Sequence, residues 1–125
     1  MNADELDRIS HSIIGAAQRV SSTLGCGFLE KVYENSLAIE LRRRGHDVRQ
    51  QQHVDVRYDN EIVGEYVADL IIDREVVVEL KAILGLEPLH KAQCLNYLRA
   101  TGLRLALLLN FGRPKLEVRR VVSGL

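Results

Sequence analysis

Two charged side chains lie inside the most apolar stretch of the chain. The run from Val76 to Leu84 is rich in β-branched residues, which is typical of a strand buried on both faces, yet it contains Glu79 and Lys81. Residues i and i+2 of a strand point to the same face, so the two charges share a face. Because an unpaired buried charge is costly, the two side chains either neutralise each other or take part in chemistry.

Two further carboxylates are expected beside this pair. Asp69 is flanked by apolar residues on its own face of the preceding predicted strand, and Glu30 falls within the apolar stripe of a predicted helix. One lysine cannot neutralise three inward carboxylates, so the excess negative charge favours a bound cation. Hard ions such as Mg²⁺ prefer oxygen ligands and can activate water, and Lys81 could orient that water or stabilise a transition state. These residue types indicate phosphodiester hydrolysis.

Two helices are predicted ahead of the strands. Apolar spacing predicts one helix over 4–24, closed by Gly25, and a second over 28–44. The predicted buried stripe of the second helix contains Leu29, Val32, Tyr33, Leu37, Ile39 and Leu41. Glu30 lies inside this stripe and Glu34 at its edge, although an acid near a helix start is also favoured by the helix dipole alone.

The rest of the chain predicts a mixed sheet. In order, we expect strands over 48–58, 62–72 and 76–84, a helix from Pro88 to about Ala100, and strands over 103–109 and 116–122. The first three strands form a meander, and a strand, helix, strand sequence favours a parallel pair. We therefore expect one α/β (α+β) domain over residues 1–125, with a central mixed sheet of four to five strands flanked by helices. The element order is α-α-β-β-β-α-β-β, with run 76–84 inside the sheet.

Composition leaves nucleic-acid binding to a local patch. The chain has 17 Lys and Arg against 17 Asp and Glu among 125 residues, so its bulk charge gives no support to such binding. The candidate phosphate contacts are Arg42, Arg43 and Arg44, which also suit a solvated helix end, and Arg113 and Lys115 in a later loop. Without an apolar signal region or a run long enough to span a bilayer, the expectation is a cytoplasmic protein with reduced thiols and no membrane contact.

Three motifs in this chain resemble the PD-(D/E)XK nuclease superfamily. Asp69 followed by Glu79-Leu80-Lys81 is similar to the D…(D/E)xK signature. Gln93-Cys94-Leu95-Asn96-Tyr97 matches the QxxxY motif of the RecB-like branch, and the segment Gly27 to Tyr33 matches the GxxExxY signature of a small bacterial family. The motifs stand in family order and the resemblance covers nearly the whole chain.

The resemblance implies a restriction-endonuclease-like fold and a role for each motif residue. It implies Mg²⁺ or Mn²⁺ as cofactor, with the ligands Glu30, Asp69, Glu79 and the carbonyl of Leu80. Lys81 would serve the attacking water or the transition state, and Gln93 and Tyr97 would support Lys81 or contact the substrate backbone. The expected partner is DNA or RNA, and a homo-oligomer or a protein partner stays open.

Alternatives without catalysis also account for these residues. Glu79 and Lys81 could form an ion pair within the sheet, and Gln93 and Tyr97 could serve helix packing. His90 and the two cysteines are interpreted as packing or surface residues. A non-catalytic module with the nuclease fold, binding nucleic acid or a protein, is therefore the second function class.

Overall fold

The structure, a computed structural model, describes residues 2–124. Its elements are α1 (Ala3–Leu24), α2 (Glu30–Arg43), β1 (Val48–Tyr58), β2 (Glu61–Ile72), β3 (Val76–Lys81), α3 (Pro88–Thr101), β4 (Leu105–Asn110) and β5 (Glu117–Val122). The predicted fold class and element order are confirmed. Among residues 2–124, no helix combines the length and the hydropathy needed to cross a lipid bilayer.

The five strands form one mixed sheet in the order β1-β2-β3-β4-β5. The neighbours β1/β2, β2/β3 and β4/β5 are antiparallel, which confirms the predicted meander and the edge position of β5. β3 and β4 are parallel because α3 carries the chain back over one face of the sheet. The turns at Asp59-Asn60 and Asp73-Arg74 have positive φ at both residues, which is typical of tight type I′ hairpins. Such turns fix the register that brings β2 and β3 together.

The central strand β3 is buried on both faces, as its apolar run predicts. Val76, Val78 and Leu80 pack into the core that also contains the buried residues of α1 and α2. Val77 belongs to the smaller core on the other face, together with buried residues of α3. Because strand residues alternate, Glu79 shares the α3 face with Val77.

The predicted strand 76–84 is three residues too long, since β3 ends at Lys81. The fully buried side chain of Asn110 binds the backbone of Ile83 instead: Oδ1 accepts the Ile83 N–H at 3.0 Å, and Nδ2 donates to the Ile83 carbonyl at 3.0 Å. Gly112 packs so tightly here that a Cβ on it would lie 2.1 Å from the Ile83 oxygen. The chain that follows Lys81 is therefore fixed against the end of β4.

The buried face of α2 differs from the predicted stripe. Leu29 is 80% exposed and Ile39 is 49% exposed, whereas Glu34 is only 3% exposed. The helix begins at Glu30, and Leu29 precedes it in an extended conformation. Helical spacing therefore does not apply to Leu29. The prediction that Glu30 lies inside the buried stripe is wrong, since Glu30 is exposed. The carboxylate that α2 directs into the protein is that of Glu34.

A chain of side-chain hydrogen bonds fastens the helices to the end of the sheet away from Lys81. Nδ1 of His46, just after α2, lies 2.7 Å from Oδ2 of Asp73 in the turn before β3. Nε2 of His46 lies 2.8 Å from Oγ of Ser12 in α1, and Oδ1 of Asp73 accepts the N–H of Asp47 at 2.9 Å. The C-terminal end of α2 is thereby held at the N-terminal end of β3.

Candidate active site

Strands β2 and β3 separate at Asp69 and Glu79. Their ladder ends at the pair Leu70 and Val78, and side chains then take the place of backbone partners. The N–H of Asp69 donates to Oε1 of Glu79 at 3.2 Å, and the N–H of Leu80 donates to Oδ2 of Asp69 at 2.9 Å. The N–H and C=O of a strand residue point to the same side, so the Leu80 carbonyl also faces this gap. Two carboxylates and a carbonyl thus surround one gap in the sheet.

Glu79 is the most perturbed acid of this gap, and it is only 6% exposed. Burial, followed by the charge of Asp69, raises the pKa of Glu79 to about 9, against the opposing effects of the Asp69 N–H and of Lys81. Glu79 therefore carries a proton at neutral pH. A cation between the two carboxylates would favour release of that proton.

Lys81 ends β3 on the same face as Glu79. A cavity of about 20 Å³ lies between this face and α3, lined by Glu79, Lys81, His90, Gln93, Cys94, Tyr97 and Leu108. That volume is enough for about one water molecule. The structure thus brings Gln93 and Tyr97 to Lys81, and the Tyr97 hydroxyl also donates to the carbonyl of Val67 at 3.4 Å.

The α3 side of the cavity presents groups that keep their protons. Burial, followed by the charge of Glu79, raises the pKa of Cys94 to about 12 and that of Tyr97 to about 12. His90 also lines the cavity, which sequence reasoning missed, and its Nδ1 accepts the N–H of Glu87 at 2.9 Å at the start of α3. This contact fixes the imidazole at the helix N-terminus.

Glu30 is the first residue of α2 and belongs electrostatically to the same site. Partial desolvation, then the charge of Asp69, raises the pKa of Glu30; Lys81 lowers it and Glu34 raises it further. Glu30 lies at the edge of the site, where its side chain is exposed to solvent. Glu30 therefore lies within electrostatic range of the gap between β2 and β3 but outside the buried core.

Sequence reasoning missed a second polar cluster beside Asp69. Oε2 of Glu34 accepts hydrogen bonds from Lys31 Nζ and Gln50 Nε2, each at 2.8 Å, and Oε1 accepts one from Gln51 Nε2 at 2.7 Å. The same Gln51 nitrogen lies 3.4 Å from Oδ1 of Asp69. The only sequence signal for this cluster is the run of consecutive glutamines in β1.

The segment that leads into Glu30 is shaped by its own motif. Gly27 has φ +111°, a backbone conformation that residues other than glycine rarely adopt. Tyr33 is fully buried, and its hydroxyl donates to the carbonyl of Gly25 at 2.6 Å and accepts the N–H of Phe28 at 3.2 Å. The glycine and the tyrosine therefore fix the turn from which Glu30 begins its helix.

Comparison with known proteins decides the family. A sequence model of the PD-(D/E)XK nuclease superfamily matches residues 7–121. The chain belongs to the PD-(D/E)XK nuclease superfamily. A solved structure titled "Crystal structure of SSO0001" superposes with a TM-score of 0.60 and 17% sequence identity, over 76% of this chain and 50% of that one. The chain thus spans about half of that structure, and at this identity the likeness shows the fold alone. No curated protein matches the chain.

PD-(D/E)XK nucleases generally use divalent metal ions. Within the described part of the chain, no group of three or more His, Cys, Asp or Glu side chains is arranged to hold a metal ion. The donors that do lie together are the carboxylates of Asp69 and Glu79 and the carbonyl of Leu80. All are hard oxygen donors, and Mg²⁺ is usually bound by one or two carboxylates plus water and phosphate. The residues present therefore fit a hard divalent ion whose remaining ligands are water and substrate.

The predicted phosphate-contacting residues of this PD-(D/E)XK chain are divided between the two ends of the sheet. Arg113 and Lys115 follow β4 in the loop 111–116, called here the site loop. This loop runs beside the end of β3, since the N–H of Phe111 donates to the Lys81 carbonyl at 2.8 Å. They lie at the same end of the sheet as the carboxylates.

Arg42, Arg43 and Arg44 lie at the other end. They end α2, about 20 Å along the helix from Glu30. The Arg42 guanidinium donates to the backbone of β1, and that of Arg44 pairs with Glu40 at 3.2 Å. The predicted arginine cluster therefore does not join the site loop in one patch, and part of it serves the fold.

Proposed function

We propose that this chain is a metal-dependent nuclease that hydrolyses phosphodiester bonds of DNA or RNA with Mg²⁺ or Mn²⁺ as cofactor. The observation that carries the proposal is the gap between β2 and β3, where Asp69, Glu79 and Leu80 present oxygen atoms beside Lys81. Asp69, Glu79 and the Leu80 carbonyl would hold the cation directly. Glu30, which is exposed at the edge of the site, would complete the shell through water.

The cation, when bound, would neutralise charge on the scissile phosphate and lower the pKa of a water molecule. Lys81 would hold the attacking water and stabilise the negative charge that develops on the phosphoryl oxygens. The attacking water would lose one proton to solvent as its oxygen forms a bond to phosphorus. The bond from phosphorus to the leaving sugar oxygen would break, and that oxygen would take up a proton from solvent. Gln93 and Tyr97, which share a water-sized cavity with Lys81, would orient its ammonium group or contact the substrate backbone.

The substrate would approach from the end of the sheet that carries the site loop. Arg113 and Lys115 stand on this loop and would contact phosphates on either side of the cleaved bond. Arg42, Arg43 and Arg44 would form a separate phosphate contact, reached by a longer nucleic acid that runs along α2. A cleaved substrate longer than a few nucleotides is therefore expected to bind with a steep dependence on salt.

Finer assignments follow from the motifs. The Gln93 and Tyr97 pair supports the RecB-like branch, and the segment 27–33 supports the GxxExxY family. We treat residues 1–125 as one nuclease domain that works in the cytoplasm, which suits the free thiols of Cys26 and Cys94. A homo-oligomer or a protein partner would supply the target recognition for which a chain of this size has little surface.

A non-catalytic nuclease-fold module is the second candidate. It is favoured by the finding that, among residues 2–124, no three acidic or other metal-binding side chains converge on one point. In that case Glu79 and Lys81 would be a structural pair, and the domain would bind nucleic acid or a protein partner without cutting.

A cleavage assay combined with thermal melting separates the two candidates. Plasmid DNA, single-stranded DNA and RNA are incubated with the protein in Mg²⁺, Mn²⁺ or EDTA. We expect cleavage only with metal, a loss of about 100-fold or more in Lys81→Ala, and no loss in Lys91→Ala, which removes an exposed lysine of α3. Mg²⁺ or Mn²⁺ should raise the melting temperatures of the natural protein and of Lys81→Ala. The increase should be smaller for Asp69→Asn. If no substrate is cut and neither ion shifts the melting temperature, the non-catalytic module is the better account.

A further inference from the structure

Gln51 departs from strand geometry in the middle of β1. Its φ is +51°, whereas strand residues have negative φ. The ladder between β1 and β2 pairs the residues on either side and skips Gln51, which stands opposite Asp69. A non-glycine residue in the left-handed region is strained and persists only where surrounding contacts hold it. The distortion thus falls on the residue of β1 that faces the candidate site.

The contact that holds Gln51 is the buried carboxylate of Glu34. In a regular strand, consecutive side chains point to opposite faces of the sheet. Here both Gln50 and Gln51 donate to Glu34, at 2.8 and 2.7 Å, so both amides reach the side covered by α2. The left-handed backbone at Gln51 is what permits two neighbouring side chains to reach one carboxylate.

The same amide also contacts Asp69. Nε2 of Gln51 lies 3.4 Å from Oδ1 of Asp69, while Oδ2 accepts the N–H of Leu80 at 2.9 Å. An amide nitrogen carries two hydrogens, so it can serve Glu34 and Asp69 together. Both oxygens of Asp69 are therefore contacted, which limits rotation of its carboxylate.

We infer, on the basis of the proposed metal site, that Gln51 is a positioning residue: its amide, held by Glu34, sets the orientation of Asp69 toward the cation. Hydrogen-bond partners of metal ligands commonly change metal affinity by 10- to 100-fold when they are removed. Glu34 acts through Gln51 and does not need to touch the cation itself.

The test compares Gln51→Gly with Gln52→Gly, its neighbour in the same strand. Glycine adopts positive φ freely, so Gln51→Gly relieves the backbone strain, but it also removes one hydrogen-bond donor from the buried carboxylate of Glu34. These effects oppose each other, and we expect the variant to melt within about 8 °C of the natural protein. Its Mn²⁺ affinity, measured by calorimetry, should fall by about 10- to 100-fold. Without metal, the amide of Leu80 should exchange its hydrogen faster, because the Asp69 carboxylate that it bonds is less fixed. Gln52→Gly should change neither the Mn²⁺ affinity nor the exchange of the Leu80 amide.

Equal Mn²⁺ affinity and equal Leu80 exchange in the two variants would overturn the role of Gln51. A parallel loss of affinity and melting temperature in both variants would also overturn it, because any glycine in β1 would then have the same effect. If the natural protein binds no Mn²⁺, the proposed metal site fails. The exchange of Leu80 in EDTA then decides alone: faster exchange in Gln51→Gly supports the positioning of Asp69, and equal exchange refutes it.

Discussion

Replacing Glu79 by glutamine should stabilise the metal-free protein, and the gain should grow with pH. Glutamine has nearly the shape of a protonated glutamic acid, and its side-chain oxygen can still accept the N–H of Asp69. Glutamine has no ionisable proton, whereas burial forces the natural carboxyl group to keep its proton at neutral pH. The difference in unfolding free energy between the variant and the natural protein therefore measures the cost of keeping Glu79 protonated in the fold.

The magnitude follows from the pKa of Glu79, which is about 9 in the folded protein against an ordinary value of 4.5. Between these values the folded state holds a proton that the unfolded chain has lost, so the free energy of unfolding falls as pH rises. The slope is about 1.4 kcal/mol per pH unit, and from pH 4.5 to 7 it amounts to about 3 kcal/mol. This figure requires only that the folded pKa lies well above 7.

Urea denaturation in EDTA at pH 5, 6, 7 and 8 measures the effect. The difference in unfolding free energy between Glu79→Gln and the natural protein should rise by about 1.4 kcal/mol per pH unit over most of this range. Glu61→Gln, which removes an exposed carboxylate from the start of β2, should run parallel to the natural protein. Asp69→Asn should keep most of the slope, because burial is the larger cause of the raised pKa. Parallel curves for the natural protein and Glu79→Gln would refute the neutral, buried Glu79.

Two further predictions concern single side chains that are not proposed as metal ligands. Tyr33→Phe should lower the free energy of unfolding by about 1–3 kcal/mol in urea, because it removes a buried hydroxyl that donates to Gly25 at 2.6 Å; an unchanged value would contradict this role. In the folded protein a maleimide at pH 7.5 should label the exposed Cys26 and spare Cys94, which is 1% exposed and whose pKa is raised to about 12. Urea should release the second thiol, and mass spectrometry that finds both labelled in the native protein would contradict the packing of α3.

The central strand could be predicted from sequence, but its end could not. The apolar run from Val76 dictates burial on both faces, which local composition is enough to show. The run continues past Lys81, so composition predicts a longer strand. What ends it is the side chain of Asn110, 27 residues beyond Ile83, which binds both backbone groups of that residue. A contact of that separation leaves no mark on the local pattern.

The same limit explains the error on α2. Helical spacing counts apolar residues, and it places Glu30 inside the stripe and Glu34 at its edge. Glu34 can be buried because its carboxylate accepts hydrogen bonds from Gln50 and Gln51 of β1. Strand alternation predicts one of these glutamines on that face, and the left-handed backbone that adds the other depends on the assembled site. The motif residues Asp69 and Glu79 were accessible to sequence reasoning because the short turn between their strands fixes the register.

The charge around the site gives the proposed cation a second task. The chain has no net charge, yet acids outnumber lysines around the gap: Asp69 and Glu79 flank it, and Glu30 and Glu34 lie near it. A phosphodiester is also an anion, and two like charges 4 Å apart repel by about 4 kcal/mol at an effective dielectric constant of 20. The proton on Glu79 removes one of the repelling charges but leaves that of Asp69. We therefore expect the proposed cation to bind before the nucleic acid, and a labelled oligonucleotide to bind more weakly in EDTA than in Mg²⁺.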